Sequence, residues 1–221
     1  MGLCIARKLQ FAGMNVIVFD IQSPPDNFPF HHVDIRNDEQ IKAALSQIPK
    51  VDILVNNAGI YFEKYLEDTT NDDIDKMVDI NIKGTYLMAR NTLSKIKEAR
   101  GSIVIIASCL GLVPELTSPL YCTTKAGLIM LTKCLAQQYA DCGVRVNCVL
   151  PGPIDTPLLQ QSFHSKEAEA RCAERIPLKR IGQPEDIANM VAFLVSQEAA
   201  YITGGAFPVD GGVSSTSMYS K

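Results

Sequence analysis

The chain has 221 residues, 47% hydrophobic and 20% charged, a balance that suits one domain with a sizeable core. A formal net charge of −3 gives neither nucleic acid nor an anionic membrane surface anything to hold, and no apolar run approaches the roughly 18–20 residues of a membrane span. Seven cysteines without a C-x-x-C pair, and the lack of a charged-then-apolar leader, predict a reducing, cytoplasmic setting rather than a disulfide framework.

In chain order the pattern predicts a helix over about 3–12, strands over 15–19 and 30–34, a helix over 38–47 and a strand over 51–56. Helices over 71–79 and 81–98, a strand over 102–107 and a helix over 118–141 follow. A strand over 144–150, a helix over 184–196 and a strand over 205–209 complete the series. Pro24, Pro25 and Pro29 make 21–30 a loop. Continuous apolar strands such as 103–107 suit burial on both faces. Their alternation with helices predicts a single α/β domain over 1–221 built on a parallel, doubly wound sheet. The histidine pair His31 and His32 has no third ligand at a recognisable spacing, so no metal site is expected.

The chemistry is concentrated around Tyr121 and Lys125. Residues four apart share one face of a helix, so a phenol and an ammonium stand side by side. A free tyrosine titrates near ~10, and a neighbouring cation is expected to lower that value. Ser108, at the end of the strand-like run 102–107, could hold a substrate oxygen beside the phenol. Together these form a proton donor or acceptor for alcohol–ketone chemistry. Cys109 and Cys122 flank the same residues, which predicts inactivation by thiol reagents.

Val55-Asn56-Asn57-Ala58-Gly59 closes an apolar stretch, Asn81 opens a helix-like one, and 144–152 reads as a buried strand ending in Pro151-Gly152. With these motifs in order the chain resembles the short-chain dehydrogenase/reductase family from Gly2 to about Val213. The resemblance implies an oxidoreductase moving a hydride between a nicotinamide cofactor and a secondary alcohol or ketone. It implies that Tyr121 gives or takes the proton and that Lys125 lowers its pKa and bonds the nicotinamide ribose. Ser108 would then orient the substrate oxygen, and Asn81 would hold a water linking Lys125 to solvent. Asp34 and Ile35 match the family's adenine contacts and Asn57, Ala58 and Gly59 its cofactor-supporting turn. Pro151, Gly152, Ile154 and Thr156 match its nicotinamide-side loop. Homodimers or homotetramers through 81–98 and 118–141 are implied as well.

Asp20 ends the second strand of the family pattern, where an acid accepts ribose hydroxyls. Between Lys8 and Arg36 there is no lysine or arginine, so NAD is expected over NADP. Gly2 matches the last glycine of the family's Thr-Gly-x-x-x-Gly-x-Gly fingerprint. The first strand and two glycines have no counterpart in 1–221, so this form is expected to bind NAD weakly and to fold poorly by itself. Apolar residues after Ser108 (Leu110, Leu112, Val113, Pro114, Leu116) and in a candidate lid over 157–180 (Leu158, Leu159, Phe163) suggest a small neutral substrate. Two alternatives stay open: an NADP-dependent reductase of 3-oxoacyl thioesters, and a shortened, non-catalytic interaction subunit.

Overall fold

The computed structural model describes residues 1–163 and 165–215. Among the described residues six strands carry the fold, in two ladders that are each parallel. β1 (Val18–Asp20) pairs with β2 (Phe30–His32), Val18 opposite Phe30. The second ladder is four-stranded, in the order β3 (Ile53–Asn56), β4 (Ser102–Ile106), β5 (Arg145–Pro151) and β6 (Ala206–Val209). Among the described residues no strand is hydrogen-bonded between β1 and β3.

β4 explains the layering. Every one of its residues is buried, and side chains of a strand alternate between faces. Ile103 and Ile105 join a core with Ile41, Met88, Ile96 and Leu128. Those partners stand on α2 (Asp38–Ser46), α4 (Thr85–Ala99) and α5 (Pro119–Tyr139). Val104 and Ile106 face a second core with Ile5, Leu9, Ile187 and Val191, on α1 (Gly2–Phe11) and α8 (Pro184–Val195). Helices therefore cover both faces, as a doubly wound fold requires. Because the strands of the four-stranded ladder run the same way, Asn56, Ser108 and Pro151 come to its carboxyl edge, where such folds bind ligands, and Asp20 ends β1 in the second ladder.

Several predicted boundaries shift. The strand over 15–19 shrinks to Val18–Asp20, the length of its ladder with β2, while Met14 and Val16 pack on the second core outside any ladder. The strand over 30–34 ends at His32. The two helices over 71–79 and 81–98 form one helical path: α3 (Asn71–Val78), a π-helical turn at Asp79–Gly84, then α4. The candidate lid over 157–180 contains two helices that hydrophobic periodicity does not reveal, α6 (Pro157–Gln160) and α7 (Lys166–Arg175). Neither buries a residue, so neither carries an apolar stripe to read.

The turn into β4 admits no side chain at Gly101. A Cβ there would lie 2.0 Å from Asp52 O, a backbone atom that accepts the Ser102 N–H. Gly101→Ala must therefore push β3 from β4 where their ladder begins. We expect a loss of about 1–3 kcal/mol, the usual range for overpacking. Urea unfolding would read it, and an unchanged midpoint would show that the turn relaxes freely.

Candidate active site

Two elements deliver the chemistry. Ser108 stands two residues beyond the end of β4, and its hydroxyl accepts the Leu110 N–H at 3.2 Å and caps the following turn. Ser118 precedes α5, and Pro119, with its preset φ and missing N–H, opens it. Tyr121 stands in the first turn and Lys125 one turn later. The Lys125 side chain is buried and donates to Ile106 O at 3.1 Å. Its ammonium lies 5.4 Å from the centre of the Tyr121 ring.

Asn81 owes its place to the π-helical turn, which widens the helix and points the carboxamide inward. Fully buried, it accepts Ile60 N–H at 2.8 Å and donates to Ile60 O at 3.0 Å and Thr124 Oγ1 at 3.2 Å. A Cβ on Gly59 would meet Asn81 Oδ1 at 3.2 Å and Lys125 Nζ at 3.4 Å. The turn after β3, Asn81 and Lys125 thus converge on one point. The structure brings Ser108, Tyr121, Lys125 and Asn81 to the same end of the sheet.

The electrostatics differ from expectation in one respect. Burial raises the Tyr121 phenol above its ordinary value, and Ser108 only partly offsets this. Lys125 does not reverse the effect, and burial lowers its own ammonium from 10.5 to about 8. Helical spacing shows that the two groups are neighbours but not how dry their surroundings are. Burial likewise pushes the Cys109 thiol up to about 11, which disfavours the reactive thiolate. Cys122 is half-buried.

The predicted cofactor residues line the carboxyl edge unevenly. Gly2 lies against Asn57: a Cβ on it would sit 2.6 Å from Asn57 Nδ2, and the buried Asn57 Oδ1 has no partner. Ala58 and Gly59 are exposed. Asp20 is exposed, one oxygen accepting the Gln22 N–H at 3.0 Å. The Arg36 guanidinium at 2.6 Å holds Asp34 below the usual carboxylate range. Ile35 packs against Gly84. Gly152 is crowded by the backbone of Asp210, with a Cβ only 2.6 Å from Asp210 Cα. Ile154 has its side chain in the second core, so it would meet a ligand through its backbone. The Thr156 hydroxyl donates to Ile154 O and caps α6.

A cleft of about 560 Å³ between the start of α8 and the end of β6 includes Ile154 but none of Ser108, Tyr121 and Lys125. Its carboxylates are engaged, Asp186 by Arg180 and Asp210 by the N–H groups of Gly212 and Ser214. The residues expected to transfer the proton, Tyr121 and Lys125, thus lie outside this cleft. Among the described residues no group of three His, Cys, Asp or Glu could hold a metal ion, and no helix is long and apolar enough to cross a membrane.

Sequence reading missed Tyr61. Its ring meets that of Tyr121 edge to face, centroids 4.9 Å apart at 79°. The one available signal is an aromatic residue two positions beyond the Asn57-Ala58-Gly59 turn.

A family model described as enoyl-(acyl carrier protein) reductase matches residues 1–214. The 3-oxoacyl-[acyl-carrier-protein] reductase of Rickettsia felis is 36% identical over 222 residues, 96% of this chain and 91% of the relative. Among solved structures, the aldohexose dehydrogenase of Thermoplasma acidophilum is 31% identical with a TM-score of 0.95, covering 100% of this chain and 92% of that one. The 3-ketoacyl-(acyl-carrier-protein) reductase of Brucella melitensis, complexed with NADH, is 32% identical with a TM-score of 0.88 (96% and 93% covered). ElxO with NADP bound is 31% identical with a TM-score of 0.90, covering 97% of this chain and 94% of that one.

Proposed function

The chain belongs to the short-chain dehydrogenase/reductase family and is an oxidoreductase of that family, and from this premise we propose that Ser108, Tyr121, Lys125 and Asn81 interconvert a secondary alcohol and a ketone. The observation that carries the reading is the half-buried Tyr121, with the Ser108 hydroxyl beside its phenol and the Lys125 ammonium 5.4 Å from the centre of its ring. A nicotinamide cofactor, when bound, supplies or accepts the hydride. Ser108 holds the substrate oxygen, and Tyr121 transfers its proton. The phenol is protonated at neutral pH, and burial strengthens its hold on that proton, so it stands as the proton donor when a ketone is reduced. Lys125 has three N–H donors and gives one to Ile106 O, leaving donors for a ribose. Asn81 fixes the turn, through both backbone groups of Ile60, against which a cofactor would lie.

The residues at the carboxyl edge suit such a cofactor. Gly59 is exposed with no side chain to hold a ligand off its backbone, and the buried Asn57 Oδ1 beside Gly2 has no partner of its own. For the adenosine end we propose NAD over NADP. Asp20 is exposed at the end of β1, where it can accept ribose hydroxyls and would repel a 2′-phosphate. The nearby guanidiniums are already paired, Arg7 with Asp26 at 2.8 Å and Arg36 with Asp34 at 2.6 Å. Asp20→Ala is expected to weaken NAD and to narrow its advantage over NADP by about tenfold, the scale of one charge-assisted hydrogen bond. Calorimetric titration of both cofactors reads this, and tighter NADP binding to the unaltered protein would overturn it.

For the substrate we propose a small neutral alcohol or ketone, with 157–180 as the lid. Leu112 and Leu116 are exposed after Ser108, and Leu158 stands on α6. The second reading, reduction of a 3-oxoacyl thioester, is favoured by the relative from Rickettsia felis. Assays with small secondary alcohols and with a 3-oxoacyl thioester, each with NAD(H) and NADP(H), separate the two. Turnover with neither class would overturn both. We also assign a cytoplasmic homo-oligomer. The cysteines are free, and Tyr86 on α4 and Met130 on α5 present apolar surface.

A further inference from the structure

We propose that Tyr61 is a positioning residue for Tyr121, forming the wall that fixes the angle of the reacting phenol. The proposal rests on the reading of Tyr121 as the proton-transfer group.

Three independent restraints fix Tyr61. On its N-terminal side, both backbone groups of Ile60 are bonded to the buried Asn81 carboxamide, at 2.8 and 3.0 Å. On its C-terminal side, the Lys64 N–H donates to Thr117 O at 2.7 Å, tying the loop after β3 to the segment leading into α5. Its own hydroxyl donates to Glu63 Oε1 at 2.8 Å and accepts from Ser118 Oγ at 3.3 Å. Ser118 is buried at the start of α5, three residues before Tyr121. An exposed loop tyrosine would need none of these ties. Here they converge to hold one ring edge to face against another, the arrangement favoured by aromatic quadrupoles.

The consequence is geometric. Tyr121 lies in the first turn of a helix, with Lys125 beneath its ring. Its ring can turn about the side-chain bonds unless something closes the remaining side. Tyr61 closes that side. Proton transfer demands that the phenol oxygen stay within hydrogen-bond reach of the substrate oxygen, and a misplacement of about 1 Å can cost ~100-fold. The same wall helps exclude water from the phenol, whose raised pKa is a burial effect. Asn81 thereby gains a second task besides any water it holds, since it sets Tyr61 through Ile60.

The test compares Tyr61→Phe with Tyr61→Leu in the cofactor-loaded protein, with Tyr121→Phe as the reference. Tyr61→Leu is expected to lower kcat about 10- to 100-fold, with cofactor Kd unchanged within about twofold, because no cofactor contact is removed. Tyr61→Phe keeps the ring and should recover most of the loss. Full turnover in Tyr61→Leu would overturn the proposal. So would a loss accompanied by an equal loss of cofactor affinity, or a Phe variant as impaired as the Leu variant. If Tyr121→Phe keeps its turnover, the reading of the site fails. If Tyr121→Phe is inactive while Tyr61→Leu is normal, only the positioning role fails.

Discussion

Tyr121→Phe is expected to lower turnover by about 10²–10⁴-fold, the range supplied by a positioned acid or base, while cofactor binding persists. The change removes one oxygen and leaves the ring, so the edge-to-face contact with Tyr61 and the cover over Lys125 survive. What is lost is the group that exchanges a proton with the substrate oxygen. Ser108 cannot replace it, since a serine hydroxyl does not titrate in the working range. The expected signature is a fall in kcat with an unchanged cofactor Kd, which marks an interaction made only in the transition state. Direction should matter as well. The phenol is protonated at neutral pH, and burial strengthens its hold on that proton, so in the native protein carbonyl reduction should be favoured at neutral pH, and alcohol oxidation should accelerate as the medium becomes alkaline. Near-native turnover in Tyr121→Phe, on any alcohol that the native protein oxidises, would remove Tyr121 from the chemistry.

Much of this architecture could be read from spacing. The apolar run at 103–106 reads as a strand buried on both faces, and the structure puts its alternate residues into two separate cores. Tyr121 and Lys125 are one helical turn apart, and Ser108 follows a strand by two residues, so their meeting at the carboxyl edge follows from a parallel sheet. Other features depend on solvation and long-range contact, which no local pattern carries. The rise in the Tyr121 pKa reflects burial by residues far away in sequence. Asn81 reads as the start of a helix, whereas it sits within a π-helical turn that drives its side chain into the interior. Tyr61 reaches Tyr121 because three separate hydrogen-bonded ties fold a loop over α5. The helix α7 escapes for the opposite reason: with no buried face, its sequence is under no demand to repeat apolar residues at helical spacing.

Lys125→Met is expected to abolish function and yet to stabilise the cofactor-free protein at neutral pH. Burial alone lowers the ammonium from 10.5 to about 8, so at pH 7 the folded chain holds a charge that the surroundings disfavour. That difference corresponds to roughly 3 kcal/mol against folding. Replacing lysine by methionine keeps an unbranched stem of similar length and removes the charge. The lost hydrogen bond to Ile106 O costs about 0.5–1.5 kcal/mol in return, leaving a net gain on the order of 2 kcal/mol. The pH dependence has a definite sign. Between about 8 and 10.5 the unfolded lysine binds a proton that the folded one has released, so native stability must rise with pH across that window. Below about 8 both states are protonated and the full penalty applies; above 10.5 it is gone. The methionine variant should lack this rise, so its lead should vanish at about pH 10 and reverse above it, by the lost hydrogen bond to Ile106 O, and the difference between the two proteins cancels every other titrating group. Urea unfolding at pH 7 and pH 10, without cofactor, measures it. A variant less stable than the native protein at pH 7, with the same slope against pH, would show that Lys125 is neutral or well solvated in the fold. The outcome expected instead is a lysine kept at a stability cost, because its unused donors and its place beneath the phenol serve the bound cofactor and the reaction.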